Sequence, residues 1–170
     1  MKSNDLLLDA FGRIRETVEA TLEGLDDGSL TVRPSGTGNS IAWLIWHLAR
    51  VEDVQVSDVA GLEQVWFTRD FVGRFGLPLR PTDTGYGHSS DQVDALRAPA
   101  EVLLEYYDAV HRQTVDFLQK VSDEDLDRVV DTRWDPPVTL GVRLVSTVAD
   151  CLQHVGQAAY VKGLQRKPAE

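Results

Sequence analysis

The chain has 170 residues, 42% hydrophobic and 26% charged, with a formal net charge of −10 at pH 7. The length predicts one domain over 1–170, and the acidity argues against nonspecific binding to nucleic acid or to an anionic membrane surface. A single cysteine, no apolar leader segment and no apolar run of membrane-spanning length together predict a cytoplasmic protein.

Helical periodicity is the main pattern in the first third of the chain. Apolar residues recur at spacings of three and four over 7–25, which predicts a first helix ended by the Gly- and Asp-containing stretch 24–28. Asn39 or Ser40 can cap a second helix, and Gly61 is its expected end.

Residues 61–98 differ from the helices before them. Aromatic residues over 66–71 predict a short helix packed back on the body, and a stretch rich in glycine and proline follows. The sequence 89–91 is typical of the cap of another short helix, which we expect to run through Leu96. A connection of this length is usually functional or partly structured.

Two further helices are expected beyond this connection. The third begins near Pro99, and its apolar face reaches Val121. The sequence 122–125 is close to a capping box and predicts a short extra turn. After the break at 135–137, Thr139 precedes a fourth helix. Since no segment alternates enough to predict a strand, we expect an all-α fold: a four-helix bundle with a long crossover connection between helices 2 and 3.

The clearest chemical pattern joins His47, in the apolar second helix, to Asp150 and His154 in the fourth. Asp150 and His154 are spaced i, i+4, so both side chains leave one helix face about one turn apart. Two imidazoles and a carboxylate from two helices would form a three-ligand site for a divalent metal: zinc, nickel, manganese or iron(II). The same residues also fit a hydrogen-bonded core histidine and a helical pair without metal.

Five other residues could belong to such a site, each with an alternative. Gln157 fits a hydrogen-bond donor to a metal ligand, or a solvated side chain. Trp43 fits the core, the rim or the wall of a substrate pocket. Arg50 fits the steering of an anionic substrate, or a salt bridge at the rim. Tyr86 and His88 lie in the long connection, where functional residues often collect but surface turns use the same residue types.

Two stretches carry a resemblance to a known family: Asn39–Asp53, and 150–157 with its H-x-G-Q ending. In order and spacing they resemble the DinB/YfiT-like superfamily, and more narrowly its actinobacterial branch related to mycothiol-dependent enzymes. The resemblance implies a helical bundle that holds a divalent metal through His47, Asp150 and His154. The superfamily usually has histidine where Asp150 stands, so this chain departs from the pattern in the charge and softness of its ligands.

Relatives in that superfamily include isomerases and S-transferases that use low-molecular-weight bacterial thiols. The resemblance therefore implies a metal-dependent transferase or isomerase whose partners are a mycothiol-like thiol and a small-molecule electrophile, with residues of 61–98 closing over the pocket. Metal-assisted hydrolysis is a second interpretation, in which activity needs no thiol. The third is a non-enzymatic helical scaffold or ligand-binding protein, with a homodimer through exposed bundle faces as one form. The residues name neither the substrate nor a general acid or base.

Overall fold

The computed structural model describes residues 2–165 and is helical over most of that range. Its helices are α1 (Ser3–Leu22), α2 (Asp27–Thr31), α3 (Ile41–Ala60), α4 (Val65–Thr68), α5 (Phe71–Phe75), α6 (Ser90–Asp94), α7 (Ala100–Leu118) and α8 (Leu140–Leu164). Two short strands, β1 (Val129–Asp131) and β2 (Val138–Thr139), form an antiparallel hairpin, and 3₁₀ turns lie at Pro34–Gly36 and Glu124–Asp127. The expected all-α class is confirmed.

The four long helices pack as a closed ring. Helix α3 packs mainly against α8 and α7, and α1 packs against the same two helices, so α1 and α3 lie diagonally across the bundle. The connection from α3 to α7 carries the three short helices α4, α5 and α6. This is the predicted bundle with a long crossover between its second and third long helices.

Local sequence signals set the ends of the two helices that carry the candidate ligands. The Ser40 side chain accepts a hydrogen bond from the Trp43 backbone N–H at the start of α3, and Gly61 ends that helix in the left-handed conformation with φ 66°. Thr139 caps α8 in the same way, by accepting from the Val142 N–H. These predicted boundaries are confirmed.

Two predictions about the shorter elements were wrong. One short helix was expected over 66–71, but α4 and α5 are separate because Asp70 adopts φ 52° between them and caps α5 through the Gly73 N–H. No strand was expected, yet β1 and β2 pair across the loop that follows Asp131. Strands of three and two residues are too short for alternation to be visible in the sequence.

Helix α3 is buried on nearly every side, because α7, α8 and the α3–α7 connection all cover it. Its buried face includes three charged side chains: Arg50, Glu52 and Asp53. The Asp53 carboxylate accepts hydrogen bonds from the backbone N–H groups of Val65 and Trp66 at 2.9 and 2.8 Å. This carboxylate therefore fixes the start of α4 on α3, and with it the path of the connection that runs toward the candidate site.

Candidate metal centre

The side chains of His47, Asp150 and His154 come together where α3 packs against α8. Each offers one ligand atom, and these three atoms lie within 4.8 Å of one another. His154 Nε2 is 3.7 Å from Asp150 Oδ1, and the centroids of the two imidazole rings are 4.6 Å apart. The packing of α3 on α8 thus gathers residues that are remote along the chain.

A hydrogen bond at Nδ1 orients each of the two imidazoles, and neither Nε2 has a hydrogen-bond partner among residues 2–165. His47 Nδ1 contacts the Thr84 carbonyl, which can only accept, so Nδ1 carries the proton and Nε2 presents its lone pair. His154 Nδ1 donates to Gln157 Oε1 at 3.1 Å, which leaves Nε2 free there as well. Gln157 therefore contacts the candidate ligand as an acceptor, whereas the sequence suggested a donor. Metal-bound histidines are held in this manner, by an acceptor on the second ring nitrogen.

The donor set also fits a cation on electrostatic grounds. Asp150 Oδ1 is buried and has no hydrogen-bond partner among residues 2–165, a state that is costly for a carboxylate oxygen. Burial lowers the pKa of His47 although the hydrogen bond to Thr84 opposes the shift, and a lowered pKa favours the neutral ring that a metal ligand requires. Ligand atoms on one tetrahedral zinc ion are roughly 3.4 Å apart, so only a small inward movement is needed. Three protein ligands leave at least one position open.

Trp43 forms one wall of this site. Its ring stacks on His47 with centroids 4.6 Å apart and an interplanar angle of 18°. Its indole N–H donates to His88 Nδ1 at 3.2 Å, so His88 carries its own proton on Nε2, which lies 3.7 Å from Asp83. The structure therefore brings His88 to the site indirectly, as the residue that orients Trp43.

Gly85 allows the loop to approach this wall. Its φ is +100°, and a Cβ added there would lie 2.7 Å from His47 Nδ1 and 2.9 Å from Trp43 Cζ2. The backbone can therefore reach His47 only if residue 85 has no side chain. Thr84 and Gly85 were not among the residues singled out from the sequence, because a contact made by a backbone carbonyl leaves no side-chain pattern to detect.

Gly85→Ala is expected to weaken zinc binding by about 10- to 100-fold, because the added methyl displaces the loop and removes the acceptor that orients His47. Competition with a chromogenic zinc chelator measures the change. Gly87→Ala is the matched control, since Gly87 also has positive φ, +71°, but no atom within 4 Å of an added Cβ. Equal zinc affinities in the two variants would show that the loop contact does not support the site.

The structure does not bring Tyr86 and Arg50 to the site. Tyr86 is 95% exposed. Arg50 is fully buried rather than at the rim, and its guanidinium donates to the Tyr106 hydroxyl, the Gln64 side chain and the Asp83 carbonyl. Arg50 therefore ties α3 to α7 and to the connection. It also forms a salt bridge with Asp53 at 3.5 Å, as one of its two interpretations expected, but in the interior of the bundle rather than at the rim. The α3–α7 connection covers the face of α3 that carries Arg50. A helical wheel describes one helix alone and so cannot predict this burial.

Comparison with known proteins adds independent findings. The family model described as mycothiol-S-transferase matches residues 6–166. A conserved protein from Enterococcus faecalis, known from its crystal structure, is 31% identical and has a TM-score of 0.90, over 96% of this chain and 97% of that chain. No curated protein matches. Between residues 2 and 165, no helix has the length and apolar character needed to cross a membrane.

Proposed function

The chain belongs to the mycothiol-S-transferase family, and from this premise we propose that it is a divalent-metal-dependent transferase that uses mycothiol or a similar small thiol. The expected relationship to the DinB/YfiT-like superfamily is confirmed by that membership. The observation that carries the proposal is the approach of His47, Asp150 and His154, whose ligand atoms lie within 4.8 Å of one another. Two imidazoles and one carboxylate form a ligand set known from catalytic zinc sites.

In this proposal each chain residue has a defined task. His47 and His154 would hold the cation through Nε2, while the Thr84 carbonyl and Gln157 Oε1 accept from their Nδ1–H groups. Asp150 contributes the single negative charge of the set, which leaves a dication with a net charge of +1. A cation held there would supply the positive charge that stabilises a thiolate over a thiol. The superfamily usually has a third histidine at this position, so the negative charge of Asp150 is what distinguishes the ligand set of this chain.

The transfer itself needs no oxidant or reductant. The thiol loses its proton to solvent, its sulfur forms a bond to an electrophilic carbon, and the leaving group departs with the bonding electron pair. Trp43 covers one face of His47, whereas the Asp150 side chain is 42% exposed, so in this proposal the reacting groups approach past Asp150. The stacked rings of Trp43 and His47 are both buried, so they exclude water from the face of His47 that Trp43 covers.

A direct test measures conjugation of mycothiol with monochlorobimane, whose fluorescence rises when sulfur replaces chloride. We expect catalysis that requires zinc, thiol and protein together, and that is lost in His154→Ala but kept in Gln153→Ala. Gln153 is the matched control because it is exposed on the same helix, and its side chain bonds to the Ala149 carbonyl and to no other group in the part of the chain that the structure describes. Consumption of the reagent without thiol would favour hydrolysis, and equal rates in the two variants would overturn the proposal.

A further inference from the structure

A cavity of about 350 Å³ borders the candidate metal centre on the side of Asp150. It lies between α3, α8 and the β1–β2 hairpin, and its polar or aromatic lining includes Gln55, Asp131, Arg133, Trp134, Arg143 and Asp150. Since Asp150 belongs both to the candidate ligands and to this lining, a molecule in the cavity would lie beside Asp150. The volume is within the range of small-molecule sites.

Two arginines in this cavity share one carboxylate. Asp131 Oδ2 accepts from Arg133 Nη2 and from Arg143 Nη2, each at 2.8 Å, and Asp131 Oδ1 accepts from Arg133 Nε at 3.0 Å. Hydrogen bonds from Arg133 hold the pKa of the Asp131 carboxyl well below its ordinary value, so that group stays ionised. Two guanidinium groups against one carboxylate leave a local excess of one positive charge.

Arg133 retains donors that a ligand can use. Its side chain is 83% exposed, and its Nη1 makes no hydrogen bond to any residue that the structure describes. A guanidinium already fixed by one carboxylate loses little further freedom when it binds a second anion. Trp134, 65% exposed, adds an apolar surface to the same wall.

The charge balance of the cavity depends on the metal. The two arginines are balanced by Asp131 and Asp150 when no cation is bound. A divalent cation on Asp150 would give the cavity an excess of two positive charges, in a chain whose net charge is −10. Such a cavity attracts a small anion and does so most strongly in the metal-bound protein.

We propose that this cavity binds the electrophile, and that the electrophile carries a carboxylate held by Arg133, beside the positive charge of Arg143. This inference rests on the proposed function: a cation held by His47, Asp150 and His154 would favour a thiolate beside Asp150, so the molecule that the sulfur attacks would occupy the adjoining space. Arginine is suited to a carboxylate because its planar donors match the two oxygens. The hairpin residues Arg133 and Trp134 then determine which electrophiles are accepted.

Isothermal titration calorimetry of succinate into the zinc-loaded protein tests this proposal without turnover. We expect binding to the wild type, no detectable binding of succinamide, and an affinity for succinate reduced about tenfold in Arg133→Gln through loss of one charge-assisted hydrogen bond. Arg13→Gln is the matched control, because Arg13 is also an exposed arginine paired with an aspartate, on α1 far from the cavity in sequence and outside its lining. It should bind succinate as the wild type does.

Two results would overturn the inference. One is a wild type that binds zinc but not succinate. The other is equal succinate affinity in Arg133→Gln and Arg13→Gln, since the carboxylate would then contact the metal alone. Either result leaves the proposed metal site intact, because zinc loading is measured separately on the same samples. Failure to load zinc would instead contradict the proposed function.

Discussion

His154→Ala is expected to abolish stable binding of a divalent cation while the bundle remains folded. The substitution removes one of three candidate ligands and leaves His47 and Asp150, and two ligands rarely retain zinc against a chelator. The His154 side chain is partly exposed, at 20%, so its loss removes little from the core. The substitution should therefore remove metal binding and leave the folded bundle intact.

The measurement is zinc content per chain after loading, gel filtration and brief exposure to a chelator. We expect about one ion per chain in the wild type and in Gln153→Ala, as for a single site, and none in His154→Ala. Thermal unfolding with excess zinc should show the same order, because a ligand of the folded state stabilises it by about 2.7 kcal/mol at a hundred times its Kd. Stoichiometric zinc in His154→Ala would contradict the ligand assignment.

Glu52 gives the second large expected effect, on stability rather than on the site. Its carboxyl is fully buried on α3 and accepts hydrogen bonds from the Tyr107 hydroxyl at 3.0 Å and the Thr114 hydroxyl at 2.7 Å. Burial raises the pKa of Glu52 from 4.5 to about 7, and the nearby charge of Asp53 adds to the increase. Cys151 also faces it from α8, and burial raises the pKa of that thiol, which keeps it neutral.

The folded state therefore keeps the Glu52 proton at pH values where the unfolded chain has lost it. Stability from this group is fully present below the unfolded pKa of 4.5 and is lost as pH rises toward the folded value of about 7. Glu52→Gln keeps an acceptor for one of the two hydroxyls, presents an N–H donor to the other where protonated Glu52 presents an O–H, and cannot ionise. Between pH 5.5 and 8, the wild type should lose about 2 kcal/mol of stability relative to this variant.

Urea unfolding of metal-free protein at several pH values measures this difference, since metal binding has a pH dependence of its own. Glu63→Gln is the control, because Glu63 is an exposed glutamate just beyond α3 and its substitution should leave the pH dependence of the wild type unchanged. Parallel curves for Glu52→Gln and the wild type would mean that Glu52 is already ionised in the folded protein near neutral pH.

The parts of the fold that depend on local signals were predictable from the sequence. Ser40, Gly61 and Thr139 mark helix ends through their own side chains or backbone freedom, and the periodicity between such residues identifies the long helices. Short elements carry too few residues for this reasoning, which is why the β1–β2 hairpin was missed. The cavity wall formed by that hairpin could not be foreseen for the same reason.

The candidate site could be predicted only as a set of residues. Spacing selects Asp150 and His154, and its place in an apolar helix selects His47, but neither signal reveals what surrounds these residues. The Thr84 carbonyl reaches His47 through the path of a long connection, and the same connection buries Arg50. Both outcomes follow from tertiary packing over α3, which no local pattern encodes.

X-ray absorption spectroscopy at the zinc edge, with and without added thiol, tests the central claim most directly. The account predicts only nitrogen and oxygen neighbours at about 2.0–2.2 Å in the thiol-free protein, two of them imidazole, and a new sulfur neighbour at about 2.3 Å once mycothiol is added. A first coordination sphere that stays free of sulfur at saturating thiol, in protein that holds one zinc ion per chain, would contradict it.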